Sequence, residues 1–218
     1  MLDYAQARRL MVDCQLRTFD VNDIAVLDAF DAVPREHFVP PGSEPFAYID
    51  QALPLGGAEG DARHLPAPML HARMIQALRI GSGTRALDVG TGYGYAAALM
   101  ARLGGRVTAL ESVPALAQAA RERVDGARVD VTEGPLAEGC PSSGPYDAIL
   151  INGRVEVRPQ ALLDQLKDAG RLVCVLGRDR AAKATIFVRA GDAFGARPLF
   201  DAALPALSAF REAAGFAF

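Results

Sequence analysis

Apolar positions along the chain change period twice. Over residues 3–16 they recur at helical spacing, with Leu2, Ala5, Leu10, Met11 and Cys14 sharing a face between arginines. A second helix is predicted over 22–33, with Leu27 and Phe30 inward. It ends before Pro34, because the residue ahead of a proline is pushed out of the helical region. Residues 34–68 then lose any period; prolines and glycines recur, yet Phe38, Phe46, Tyr48 and Leu53 point to an ordered cover segment that packs on something. Helical spacing returns over 69–78. From residue 84 short apolar runs alternate with helical stretches: strands at 85–89, 106–110, 128–132, 146–151 and 171–176, helices at 95–103, 113–124 and 159–167. That alternation predicts an α/β fold with a doubly wound, mostly parallel sheet. Two further β-like stretches, 184–190 and 196–202, are flanked by Gly and Pro and are expected as an antiparallel pair at the sheet edge.

The sharpest chemical signal is Asp88-Val89-Gly90-Thr91-Gly92-Tyr93-Gly94-Tyr95, set between the first strand of the α/β region and its helix. Open sheets bind ligands at such strand ends, where the strand order reverses. The dinucleotide fingerprint wants its third glycine at position 95. Here Tyr95 stands there and the glycine is at 94. Asp88 adds a carboxylate aimed at the crevice, which suits a ligand with an ammonium group and no pyrophosphate: S-adenosylmethionine. The next strand ends in Glu111, an acceptor for two vicinal ribose hydroxyls. The third runs into Thr132-Glu133-Gly134-Pro135-Leu136, a loop placed to flank an adenine. Glu133 is read either as a partner of the adenine amino group or as a solvent-facing acid. A bare tight turn, or a different nucleotide, are the other readings of 88–95.

Composition narrows the class without naming the chemistry. The 218 residues are 50% hydrophobic and 22% charged, which excludes intrinsic disorder. A net charge of −3 gives no footprint for nucleic acid or an anionic membrane. Cys14, Cys140 and Cys174 have no metal-ligand spacing and an odd count, so they read as small buried or half-buried thiols in a reduced, cytosolic setting. The first residues have no secretory signal pattern, and no apolar run is long enough to span a bilayer. No metal site is expected.

Several segments together resemble the protein-L-isoaspartate (D-aspartate) O-methyltransferases. They are QLR at 15–17, VPREHFV at 33–39, AYIDQALPLG at 47–56, APMLHARM at 67–74, LDVGTGYGYAAALMARL at 87–103, PYDAILI at 145–151 and QLKDAGRLVCVLG at 165–177. The resemblance implies a seven-stranded methyltransferase sheet over 80–218, preceded over 1–79 by a helical segment and cover loop. It implies S-adenosylmethionine as cofactor, held by Asp88, Gly90, Thr91, Gly92, Tyr93, Gly94, Tyr95, Glu111, Glu133, Gly134 and Leu136. The acceptor would be the carboxylate of an altered aspartyl residue in a peptide or protein.

One departure falls on the acceptor side. The family's T-I-S-x-P segment covers the cofactor, with its serine at the transferring methyl. Here that stretch reads His64-Leu65-Pro66-Ala67-Pro68, so proline replaces the serine and removes both a hydroxyl and a backbone N–H. The preceding loop, 56–63, is longer and glycine-rich, and the cover segment 56–68 is expected to be mobile without ligand and more ordered with cofactor bound. The stretch after the 146–151 strand reads Asn152-Gly153-Arg154. His64, Pro66 and Asn152 are therefore the candidate catalytic positions. His37 and His71 are expected to be structural. A carboxylate acceptor needs no general base, since it is already ionised near neutral pH. The alternatives are a methyltransferase of this ancestry with another acceptor, or a cofactor-binding protein without catalysis. Phe216 and Phe218 at the C-terminus suggest docking onto the same chain or a neighbour.

Overall fold

The first helix begins where Asp3 caps it: its side chain accepts from the N–H of Gln6 at 3.0 Å, and α1 runs over Tyr4–Met11. This computed structural model describes residues 3–58 and 61–212; Phe216 and Phe218 lie outside them. The predicted helix over 3–16 does not stay α-helical. Residues 12–16 form a π-helical turn and 17–19 a 3₁₀ turn. The wider turn rotates the apolar face, so Met11, Val12 and Leu16 are buried while Leu10 and Cys14 are exposed, against expectation.

α2 (Ile24–Ala32) is capped by Asp23, whose carboxylate accepts from the N–H groups of Ala25 and Val26, and it stops before Pro34 as expected. β1 (Leu53–Ala58) and β2 (Asp61–Leu65) pair antiparallel, so the expected irregular loop at 56–63 is a hairpin. α3 (Pro68–Leu78) follows, with proline at its first turn.

The large sheet comes next: β3 (Arg85–Val89), α4 (Tyr95–Arg102), β4 (Arg106–Glu111), α5 (Pro114–Arg121), β5 (Val129–Glu133), β6 (Tyr146–Val155), α6 (Gln160–Leu163), β7 (Leu166–Leu176), β8 (Lys183–Ala190) and β9 (Ala193–Asp201). Its order is β5-β4-β3-β6-β7-β8-β9; the first five are parallel, and β8 and β9 close the edge antiparallel. The seven-stranded, mostly parallel sheet and its antiparallel edge pair are thus as read. The helix predicted over 159–167 is only one turn, because Leu166 already enters β7.

Both faces of the sheet are covered, so its strands are nearly uniform in apolarity. Ala86, Leu150, Val173 and Val175 face α3, α4 and the N-terminal segment; Leu87, Ile149, Leu172 and Cys174 face the side of α6. The first of these cores runs without a break from Leu16, Phe30 and Leu70 to Met100 and Val173. Among the described residues no helix is long and apolar enough to cross a membrane.

Candidate active site

Strand order reverses between β3 and β6, and the residues read as a cofactor site gather at that switch point. Gly90, Gly92 and Gly94 all have positive φ, which bends the chain back against the end of β4. There the N–H groups of Gly90 and Thr91 donate to the Leu110 carbonyl at 2.9 and 3.2 Å. Gly94 is needed for a different reason. A Cβ there would sit 2.6 Å from Val124 Cγ1, so its absence lets the turn after α5 approach.

Asp88 is fully buried at the tip of β3. Thr91 Oγ1 donates to it at 2.6 Å, and the Asn152 amide nitrogen donates to its other oxygen. Burial pushes its carboxyl up to about 6, against those two hydrogen bonds. Asn152 is brought over Asp88 by a bulge in β6, where the register with β7 slips between Leu150 and Arg154.

Glu111 ends β4 with both oxygens engaged. The N–H of Gly92 donates to Oε2 at 2.9 Å, while those of Ser112 and Val113 donate to Oε1 at 2.9 and 3.2 Å. Its main partner was not foreseen: Arg63 Nε donates to Oε1 at 3.0 Å and Arg63 Nη2 to Ser112 Oγ at 2.7 Å. This ion pair is almost wholly buried, at 1% and 0% side-chain exposure. The guanidinium therefore stands where the ribose hydroxyls were expected.

Two leucines complete the cover. A Cβ on Gly92 would lie 2.6 Å from Leu55 Cδ1. A Cβ on Gly153 would lie 2.5 Å from Leu207 Cγ, and Leu207 also reaches the surface of Gly90 beside Leu136. Leu207 belongs to the segment after β9, which runs back along the end of β6: its N–H donates to the Arg154 carbonyl at 3.0 Å.

What remains open is a cavity of about 10 Å³ between Leu55, His64, Pro66, His71, Thr91 and Asn152. That is room for about one water, against a few hundred Å³ for a ligand-sized pocket. The donor set thus fits S-adenosylmethionine in kind, with two buried carboxylates and a glycine turn, while in this closed form the space is held by the chain's own side chains.

The cavity wall is unusually rich in unsatisfied groups. His64 Nδ1, both ring nitrogens of His71, and Asn152 Oδ1 are buried with no hydrogen-bond partner. Burial, with Arg35 nearby, pushes the His71 imidazole down to about 3 and keeps it neutral. His71 packs edge-on to Phe30 and beside Tyr95, so it is buried as expected of a structural residue yet also lines the cavity. Pro66 lines it too, but its carbonyl accepts from Arg35 Nη2 at 2.7 Å.

Arg35 gives the VPREHFV segment its purpose. It is fully buried, donates through Nε to the Ala47 carbonyl at 2.6 Å, and lies over the Tyr95 ring at 5.1 Å. It thereby ties three of the recognised segments together. Next to it, Glu36 accepts from the Tyr48 hydroxyl and pairs with Arg8 at 3.5 Å. Phe38, Tyr48 and Leu53 are buried as expected, but Phe46 is exposed. His37 is exposed and offers its carbonyl to Arg123.

Other expected cofactor contacts are placed unevenly. Leu136 and Thr91 line the crevice. The Tyr95 side chain instead faces the N-terminal core, packed against Phe30 and Phe38, because the first helical position of α4 points away from the strand ends. Tyr93 stacks under Arg123 at 4.6 Å. Glu133 pairs with Arg121 at 2.8 Å on the half-exposed edge of the sheet. The N–H of Gly134 donates to the Glu111 carbonyl at 3.1 Å, and its Cα lies beside Leu110. Arg63, Leu55, Leu207 and Arg35 were the residues missed. The one available signal was the inward alternation of Leu53, Leu55, Arg63 and Leu65, legible only once the hairpin is known.

Comparison with known proteins places the chain's sequence and fold. The sequence profile of protein-L-isoaspartate(D-aspartate) O-methyltransferase (PCMT) matches residues 6–197. A protein-L-isoaspartate O-methyltransferase of Methylorubrum extorquens (strain PA1) is 44% identical over 177 residues, 80% of this chain and 76% of the relative. One from Roseiflexus sp. (strain RS-1) is 36% identical over 203 residues, 92% and 91% of the two chains. A solved protein-L-isoaspartate O-methyltransferase superposes with a TM-score of 0.79 at 23% identity, covering 93% of this chain and 65% of the longer neighbour. A Plasmodium falciparum structure named for the same activity, in complex with S-adenosyl-L-homocysteine, gives 0.76 at 20% identity and covers 96% and 100%. By profile and by sequence, this chain belongs to the protein-L-isoaspartate(D-aspartate) O-methyltransferase family of S-adenosylmethionine-dependent methyltransferases.

Proposed function

We propose that the chain transfers a methyl group from S-adenosylmethionine to the carboxylate of an altered aspartyl residue in a peptide or protein. The observation that carries this reading is the pair of buried carboxylates, Asp88 and Glu111, flanking a positive-φ glycine turn at the sheet's switch point. The cofactor supplies an activated methyl on a sulfonium. Glu111 and the Gly92 N–H are the groups for its ribose, Asp88 and the Thr91 hydroxyl for its amino-acid end.

The remaining chemistry is positioning. An acceptor carboxylate is already the nucleophile at pH 7, so the chain must align it and exclude water. Pro66 contributes no donor. The Asn152 amide nitrogen is committed to Asp88, which leaves only its oxygen, an acceptor suited to a peptide N–H. Donors for a carboxylate must then come from the imidazoles of His64 or His71, whose unpartnered nitrogens lie at the cavity. The acceptor would enter where the hairpin now packs. A cytoplasmic, reducing setting suits the free thiols Cys14, Cys140 and Cys174.

One observation favours a second reading. Because Arg63 satisfies Glu111 and the leucines fill the crevice, a chain that keeps this fold without turnover would look the same. Transfer of labelled methyl from S-adenosylmethionine to an isoaspartyl peptide is the deciding assay. Turnover well above a no-enzyme control is expected. Cofactor binding without turnover would move the acceptor elsewhere, and absence of both would leave the non-catalytic reading.

A further inference from the structure

The inner row of the β1–β2 hairpin is Leu53, Leu55, Arg63 and Leu65, all buried. A fourth leucine would serve hydrophobic packing as well as arginine and without the desolvation of a charge. What arginine adds is a grip on Glu111 and Ser112, at 3.0 and 2.7 Å. The same carboxylate has its other oxygen on the Gly92 N–H. A vicinal diol needs both oxygens accessible on the crevice side, so guanidinium and ribose exclude each other there. Leu55, against Gly92, occupies the adjoining space.

The geometry points to Arg63 as a built-in competitor for the cofactor's ribose, a latch on Glu111 that must be released before S-adenosylmethionine binds; this rests on the cofactor reading above.

The fold supplies a moving part and two fixed ends. Among the described residues the hairpin is a separate two-stranded sheet with no ladder to the large one. Arg35 pins the chain on either side of it, through the carbonyls of Ala47 and Pro66. Between the pins, the exposed Gly56 and Gly57 have φ of +101° and +124° and can absorb a change in backbone direction. The bulge between Pro54 and Gly56 sets Leu55 opposite no single partner, so Leu55 and Arg63 leave the crevice as one unit.

A closed majority lowers apparent affinity by the fraction of molecules that are open. If fewer than about one in ten are open, removing the latch tightens binding by about tenfold or more.

The test is calorimetric titration of S-adenosyl-L-homocysteine into the natural chain, Arg63→Gln and Ser112→Ala, with thermal melts to verify folding. The expected result is binding by all three, about tenfold tighter for Arg63→Gln and about threefold tighter for Ser112→Ala, which loses one hydrogen bond to the latch. Faster hydrogen exchange of the 53–65 amides in ligand-free Arg63→Gln is the independent readout. Equal or weaker binding by both variants overturns the latch and leaves the cofactor reading standing. Absence of binding in all three overturns the cofactor reading and the latch with it. Should Arg63→Gln fail to melt cooperatively, Ser112→Ala decides by the same criterion.

Discussion

The strand-end crevice and the hairpin that fills it are built on opposite plans. The crevice is local: Asp88 to Gly94 are contiguous, and Glu111 arrives on the neighbouring strand, where the preceding Leu110 carbonyl accepts from the Gly90 and Thr91 N–H groups. The hairpin acts entirely at a distance, with Arg63 reaching Glu111 and Leu55 reaching Gly92 from outside the sheet. The first region is chemistry waiting for a ligand. The second provides that chemistry with an internal substitute. The crevice that holds the residues proposed for the cofactor is thus closed by side chains from outside the glycine turn.

The largest effect should come from breaking the join between the two regions. Glu111→Ala removes the buried ion pair with Arg63 and the acceptor of the Gly92, Ser112 and Val113 N–H groups, and should cost about 3–5 kcal/mol. For a chain of this size that is a melting-temperature drop of roughly 6–20 °C. The pair Arg63→Met with Glu111→Leu should recover only the part due to the broken ion pair, since an apolar replacement of such a pair is often neutral while leucine accepts none of the three backbone N–H groups. A double substitution as unstable as Glu111→Ala would show that Glu111 matters to folding through its backbone partners instead of Arg63.

Glycine substitutions sharpen the comparison. Alanine at 92 meets Leu55 at 2.6 Å, whereas alanine at 90 meets nothing nearer than 3.6 Å. Both carry the strain of positive φ, about 1 kcal/mol. Gly92→Ala should cost a further 1–3 kcal/mol or so for overpacking. Adding Leu55→Ala should return part of that excess in denaturant unfolding; no recovery would mean that the hairpin is not what crowds Gly92.

Asp88 lets pH report on the crevice alone. Its carboxyl is raised to about 6, so the ligand-free fold holds the proton longer than the unfolded chain does. By itself the group stabilises the fold most at low pH, and this contribution is lost as pH rises through about 6. A ligand ammonium favours the ionised form, so its binding expels the proton below that value. Affinity for S-adenosyl-L-homocysteine should therefore be flat above pH 6 and fall by up to about tenfold per unit below it. Asp88→Asn should bind more weakly and lose the slope. A slope retained in Asp88→Asn would assign it to another group.

The smallest effect is expected on the acceptor side. Pro66→Ser restores a hydroxyl at the cavity, while Arg35 continues to hold the residue's carbonyl. Isoaspartyl turnover should rise by no more than about tenfold, the value of one hydrogen bond. An unchanged rate would place the acceptor carboxylate away from residue 66 and nearer His71.

Much of this was legible along the chain. Helix stops at Pro34, the β3–α4 glycine turn and the edge pair β8–β9 all follow from short-range rules: proline sterics, positive φ and alternation. Asp88 and Glu111 were legible as carboxylates at strand ends. Less so was the first helix, where a π turn too local for a 3.6-residue period exposed Cys14. Arg63 and its neighbours, in a run of glycines and charges, resembled a solvated loop.

The sequence by itself determined the sheet, the crevice and the residue types a cofactor would need, because each depends on neighbours within a strand, a turn or a helix. Only the tertiary structure decided what those residues touch in the closed form. Hydrophobic and ionic partners are chosen by proximity in space, and a guanidinium on one hairpin has no local signature for a carboxylate 48 positions away.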